Sequence, residues 1–199
     1  MNKFIPKRNP VEKLRRKLRN WYIPAFQGNC LYPIAMRPMT EMLSRKQHDH
    51  KLVGCEIGSF RGWNAYNILH YLPMEKLYVV DLYNTYPGYK IDTEPDDNFR
   101  ACKKHLKKFK DKVVFVKKLS EDAVDDVPEL DFCYIDANHS YKYVKNDIKL
   151  YYPKIKQGGY IGGHDFHINA VGVIRAVLEF VDENKLELEG YPRDWWVKK

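Results

Sequence analysis

The sequence predicts an α/β fold: a doubly wound, mostly parallel sheet with helices on both faces, closed by an antiparallel hairpin at the carboxyl end. Three observations predict it. Short apolar runs alternate with helical stretches from residue 52 to residue 184, the pattern of a parallel sheet buried on both faces. The first run, Val53-Gly54-Cys55-Glu56-Ile57, passes into the loop Gly58-Ser59-Phe60-Arg61-Gly62 and then into a helix. The second run, Leu77-Tyr78-Val79-Val80, ends in a carboxylate, Asp81. A glycine turn lets the backbone approach a ligand, and an acid at the end of the next strand can accept hydrogen bonds from both hydroxyls of a ribose. Together they build a nucleotide site.

The elements follow in chain order. Asn9-Pro10 is a helix start, with Asn as cap and Pro in the first turn. Val11, Leu14, Leu18 and Trp21 then recur at helical spacing. This predicts a short basic amphipathic helix packed on the domain or on a second subunit, with acidic lipid or nucleic acid as the other partners such a helix could meet. Residues 22–34 read as irregular and 35–46 as a helix leading into the first strand. Strands are expected over 52–57, 76–81, 112–117, 130–135 and 158–163. Helices are expected over 62–71, 97–109, 120–126, 140–151 and 170–184. Leu186-Glu187-Leu188-Glu189, a turn at Tyr191-Pro192-Arg193-Asp194, and Trp195-Trp196-Val197 read as the closing hairpin. The loop 82–96, rich in Tyr, Asp and Pro, lies beside the expected ligand crevice. The chain thus divides into a basic helical extension, residues 1–45, and an α/β domain, residues 46–199.

Length and composition agree with one domain: 199 residues with 44% hydrophobic content supply a core. No apolar run approaches the roughly 18 residues of a membrane span, and no apolar stretch follows the basic N-terminus as a secretory leader requires. Cys30, Cys55, Cys102 and Cys133 show no CxxC spacing, so they are expected to be reduced thiols in a cytoplasmic protein. The net charge of +8 invites a nucleic-acid reading until it is located. Residues 1–20 hold eight basic side chains and one acid, a net of +7, which leaves +1 for residues 21–199. The basic character belongs to an appendage, and nucleic acid is not the expected partner of the domain.

Several motifs in order, Glu56-Ile57-Gly58-Ser59-Phe60-Arg61-Gly62, Val80-Asp81, Tyr134-Ile135-Asp136-Ala137-Asn138-His139-Ser140-Tyr141, Asp147, Gly158-Gly159 and His164-Asp165, resemble the class I S-adenosylmethionine-dependent methyltransferases. Their small-molecule branch, the sugar and natural-product O-methyltransferases, is the nearest in pattern. The resemblance runs from about residue 50 to residue 182. It implies a Rossmann-like seven-stranded sheet, five parallel strands followed by an antiparallel pair. It also implies that Glu56, Gly58, Ser59 and Gly62 surround the methionine part of the cofactor, that Asp81 binds its ribose, and that Ser120 and Glu121 meet its adenine. Asp136 then stands between cofactor and acceptor. A nicotinamide dehydrogenase is the rival, but its G-x-G-x-x-G turn meets a pyrophosphate, and this loop lacks the middle glycine. A non-catalytic domain of the same fold is the third reading. The polar cluster at the ends of strands 4 and 5 opposes it.

Asp136, His139, His164, Asp165 and His167 fall at the carboxyl ends of adjacent strands, where ligands bind in open α/β sheets. Methyl transfer from a sulfonium is an in-line displacement, so the protein must align the acceptor and, for a hydroxyl, remove its proton. His139 and Asp136 are the catalytic candidates, His139 as general base. Asp136 and Asp165 could hold Mg²⁺. Metal-dependent relatives resembling this chain place Asp-Asn where it has Asp165-Phe166, so His139 or His164 would have to stand in. Asp147 and Arg175 read as ion-pair or capping residues, and Trp63 and Tyr66 as core. The acceptor is expected to be a small hydroxylated molecule, a sugar or phenolic ring, walled by residues 22–40 and the 82–96 loop with Tyr83, Tyr86, Tyr89, Trp21 and Tyr22. A homo-oligomer is open to the chain.

Overall fold

The computed structural model describes residues 36–86, 96–191 and 193–199. The basic helix expected around Val11–Trp21, the wall residues Trp21, Tyr22 and Tyr89, and Cys30 lie outside the described residues.

Among the described residues, seven strands form one sheet in the order β3-β2-β1-β4-β5-β7-β6. They are β1 (Leu52–Ile57), β2 (Met74–Val80), β3 (Val113–Val116), β4 (Leu130–Ile135), β5 (Ile155–Phe166), β6 (Glu189–Tyr191) and β7 (Arg193–Lys198). The helices are α1 (Pro38–Ser44), α2 (Trp63–Tyr71), α3 (Asp97–His105), α4 (Ser120–Ala123), α5 (Tyr141–Tyr151) and α6 (Val171–Glu183). Strands β1 to β5 are mutually parallel, and β7 is antiparallel to both β5 and β6. It follows that β6 points the same way as the first five, and β7 alone opposes them. This is the doubly wound α/β fold expected, with its antiparallel hairpin in place.

Alternation within the central strands divides the core in two. Cys133 and Ile135 of β4 join Val144, Ile148 and Tyr151 of α5 and Val173, Ala176, Val177, Phe180 and Val181 of α6. Phe132 and Tyr134, on the other face, join Met39 and Leu43 of α1 and Ala65, Ile68 and Leu69 of α2. The helical sets repeat at three and four residues, the stripe an amphipathic helix turns to a sheet. Each Val, Leu, Ile, Phe or Met among them, fully buried, contributes about 1.5–3 kcal/mol before the loss of conformational entropy is subtracted. Helix α1 belongs to this packing: Met39 is fully buried, and its N–H donates to Asp194 Oδ2 at 3.1 Å.

Two departures from expectation matter for the site. Strand β5 extends to Phe166 instead of ending at residue 163, and its pairing with β7 breaks between Gly163 and Phe166. Asp165 sits inside that break at φ 58°, a left-handed conformation uncommon for a non-glycine residue. A bulge of this kind redirects a side chain. The second departure is Asp194, expected in the hairpin turn and found within β7, fully buried.

Candidate active site

Both loops of the site are set by backbone proximity. Gly58 leaves β1 at φ 83°, and a Cβ there would lie 2.3 Å from the Asp136 carbonyl oxygen and 2.5 Å from Ala137 Cα. Only a residue without a side chain lets the β1 and β4 loops close on each other. Gly62 caps α2 at φ 79°.

Asp81, at the end of β2, ties these loops together. Its Oδ2 accepts the Phe60 N–H at 2.8 Å, and its Oδ1 accepts the Tyr83 N–H at 2.6 Å. Burial pushes the Asp81 carboxyl up, while the N–H groups of Phe60, Tyr83 and Ser59 pull the other way. With three N–H groups on about four lone-pair sites, the carboxylate keeps one for a ligand hydroxyl.

A cleft opens across the carboxyl ends of β1, β2, β3 and β4, about 750 Å³ counting the open solvent at its mouth. Gly58, Asp81, Ser120, Glu121 and Asp136, five of the residues expected to meet the cofactor, line it. Glu56, Ser59 and Gly62 stand behind the wall. Glu56 is almost wholly buried and accepts from Asn64 Nδ2 at 2.8 Å, with its other oxygen unpartnered. Burial raises its carboxyl to about 8, so it keeps its proton near neutrality. The Ser59 hydroxyl meets the Tyr83 hydroxyl at 2.7 Å, and Tyr83 donates to Cys102 Sγ at 3.4 Å. These three shape the loop from beneath.

The charge of the lining tests which cofactor fits. Among the described lining residues, Asp81, Glu121, Asp136 and Asp147 face a single basic group, Lys118. S-adenosylmethionine brings a sulfonium and an ammonium against one carboxylate, so this lining attracts it. A dinucleotide pyrophosphate brings two negative charges to the same acidic wall and is repelled.

Beside the cleft, the ends of β4 and β5 gather the second set of predicted residues. His139 Nε2 lies 3.0 Å from Asp165 Oδ2 and 3.6 Å from Asp136 Oδ1. His164 Nδ1 lies 3.2 Å from Asp165 Oδ2, and His167 Nε2 lies 2.9 Å from Asp165 Oδ1. Burial works to raise the Asp165 pKa, but the bonds from His164 and His167 and the charge of His139 outweigh it and hold the carboxylate well below its usual range. The neighbouring Asp136 carboxylate raises the His139 pKa, burial opposes this, and the charge of Asp165 adds to the rise. Ligand atoms of Asp136, His139 and Asp165 all lie within 4.8 Å of one another, so the three could share a cation.

Arg37 completes the group, and sequence reasoning did not single it out. Its Nη2 meets Asp136 Oδ2 at 3.3 Å across 99 positions of sequence. Asp194 is the other addition. It accepts from Tyr134 Oη at 3.1 Å as well as from Met39, and burial raises its carboxyl to about 6 against those bonds and the charges of His164 and Arg37. Its sequence signal was slight: an acid standing directly before the apolar run Trp195-Trp196-Val197. Asp147 also departs from expectation. It is neither cap nor ion pair but a buried carboxyl receiving the Ser120 hydroxyl. Arg175 forms a surface ion pair with Glu179 at 3.0 Å, as expected.

Comparison with known proteins agrees with this geometry. Residues 55–166 match a family described as a methyltransferase domain. Among solved structures, the chain is similar to the O-methyltransferase from Bacillus cereus in complex with SAH, at 14% identity, a TM-score of 0.58, and coverage of 99% of this chain and 94% of that one. It is also similar to precorrin-6y C5,15-methyltransferase from Geobacter metallireducens, at 17% identity, a TM-score of 0.60, and coverage of 81% and 87%. The O-methyltransferase NovP is similar at 19% identity, with a TM-score of 0.55 and coverage of 75% and 71%. Among curated proteins no relative matches. Among the described residues, no helix is long and apolar enough to cross a membrane.

Proposed function

The chain belongs to the methyltransferase-domain family and is an S-adenosylmethionine-dependent methyltransferase, and on that premise we propose that it methylates a hydroxyl oxygen of a small acceptor, a sugar, phenol or related natural product. One observation carries this reading. Asp136 belongs to both halves of the site: it lines the cofactor cleft and lies 3.6 Å from His139. A proton acceptor therefore stands next to the place where the methyl group is presented.

The cofactor supplies the electrophilic methyl group. In the neutral ring, a proton on Nε2 donated to Asp165 leaves Nδ1 to take the acceptor's proton. The imidazolium that results is stabilised by Asp136 and Asp165, as carboxylates stabilise catalytic histidines elsewhere. Asp81 holds the ribose, Ser120 and Glu121 the adenine end. Gly58 keeps the β1 loop tight against Asp136.

A second reading adds Mg²⁺, because Asp136, His139 and Asp165 converge closely enough to hold it. One nitrogen among three ligands suits Mg²⁺ less well than an all-oxygen set. The Arg37 guanidinium already pairs with Asp136, one of the two carboxylates such an ion would need. The metal-free version is therefore preferred. A methyl-transfer screen with labelled cofactor against sugar, phenol and catechol acceptors tests the main proposal, and no transfer to any hydroxyl acceptor would defeat it. With a substrate in hand, activity is expected to survive exhaustive chelation. Loss restored by Mg²⁺ selects the second reading.

The described site residues begin at Arg37, so residues 1–20 are expected to be dispensable for the cofactor. A chain beginning at Trp21 should bind S-adenosylhomocysteine within about tenfold of the full chain, or about 1.4 kcal/mol, by isothermal titration. A much larger loss would place the basic segment in the pocket.

A further inference from the structure

Asp147 has no part in the chemistry above, yet it lines the cleft. It stands on α5 and is 2% exposed. The Ser120 hydroxyl donates to its Oδ1, and Tyr151, one turn further along α5, donates its hydroxyl to the Ser120 carbonyl at 2.9 Å. Helix α5 thus grips Ser120 at both its side chain and its backbone. The lining here combines this polar pair with Leu119, Ala137 and Tyr143, apolar and aromatic surfaces that suit a flat ring. Asp81 marks the ribose at the end of β2, and β3, the neighbouring strand, leads directly into Leu119 and Ser120. A base attached to that ribose and lying toward β3 presents its edge to Ser120 and Asp147.

We propose that Asp147 is a specificity-determining residue for the cofactor's base, its carboxylate accepting a hydrogen bond from the 6-amino group of adenine while it orients Ser120. The inference rests on the assignment of this cleft to the cofactor. Its physical basis is the cost of leaving a buried acceptor unpaired: a base with a 6-oxo group offers an acceptor where the ionised Asp147 needs a donor. Charge supports it. Burial raises the Asp147 carboxyl to about 7, the Ser120 bond lowers it and Glu121 raises it. A donated N–H stabilises the ionised form, so adenine binding strengthens as pH rises through this range. The groups facing Asp147 are Ser120 and Glu121 of α4, Tyr151 of its own helix and Cys133 of β4. Burial pushes the Tyr151 and Cys133 ionisations far above the range, so neither mimics the effect.

The test is isothermal titration of the full chain and its Asp147→Asn variant with S-adenosylhomocysteine and with S-inosylhomocysteine. At pH 8, where Asp147 is ionised, the wild type is expected to prefer the adenine form by about 10²-fold or more, and the variant, whose amide can donate to a 6-oxo group, by about threefold or less. The preference is a ratio, so a general loss of affinity leaves it intact. If Asp147→Asn keeps the wild-type ratio, or the wild type has none, the inference is wrong. The wild type alone gives a second measurement that needs no variant. Between pH 6 and pH 8, affinity should rise about threefold to tenfold for the adenine form and fall for the inosine form, whose 6-oxo group can accept only from the protonated Asp147 carboxyl. Parallel pH curves overturn the inference. Failure of the wild type to bind either compound defeats the cofactor assignment itself, a different result from an unchanged ratio.

Discussion

Replacing His139 by alanine is expected to slow methyl transfer by about 10²–10⁴-fold, the usual worth of a positioned general base. That is about 2.7–5.4 kcal/mol in the transition state. Affinity for S-adenosylhomocysteine should change by less than about twofold, because a group acting only in the transition state leaves ground-state binding alone. The split follows from position: His139 is half-exposed beside Asp136 and is not among the residues lining the cofactor cleft. The pH profile gives an independent check. A base must be neutral to act, and the neighbouring carboxylates raise the His139 pKa above its ordinary 6.5. Activity limited by this group therefore falls as pH drops through the raised value and is full above it. The wild-type kcat/KM should show an ascending limb centred above 6.5, and the residual rate of His139→Ala should lack it. A variant that turns over a true substrate at the wild-type rate removes His139 from the mechanism.

Gly58→Val is expected to abolish detectable binding of S-adenosylhomocysteine. The new Cβ would stand 2.3 Å from the Asp136 carbonyl oxygen, at φ 83°. Overpacking costs about 1–3 kcal/mol and the left-handed backbone about as much again, so the loop must move. Movement separates the β1 and β4 loops and displaces Asp136, which serves both halves of the site. The melting temperature should fall by roughly 4–20 °C for a domain of this size. Gly58→Ala meets the same atoms with less bulk and should lie between valine and wild type. Scanning calorimetry and titration of the three proteins check this. Near-native binding by the valine variant would show that the loop contact is not needed.

Several parts of this molecule were legible from one dimension. Strands β1 and β4 fall at their expected residues because each is a mostly apolar run, interrupted by one acid (Glu56 in β1, Asp131 in β4) and largely buried on both faces. The helices were legible from their stripes. Asp81 and Asp136 were legible because strand ends in this fold class face the crevice. The boundaries of β5 were not. Its glycines hide the apolar signal, and a bulge at Asp165 carries pairing on to Phe166. Arg37, Asp147 and Asp194 were passed over or assigned surface duties, and each proved largely removed from water. No local pattern distinguishes a charged residue that will find a buried partner from one that will face solvent.

The sequence by itself determined the order of strands and helices, the tight turn at Gly58, and the carboxylates and histidine at the strand ends. These depend on periodicity, backbone freedom and residue chemistry, which are properties of short stretches. Tertiary structure alone decided that Arg37 pairs with Asp136, that Asp165 turns toward three histidines, that Glu56 retreats behind the wall and that Asp147 reaches the cleft. Those outcomes depend on strand register, on one bulge and on how far each group is withdrawn from water. Such quantities exist only once segments distant in sequence have packed together.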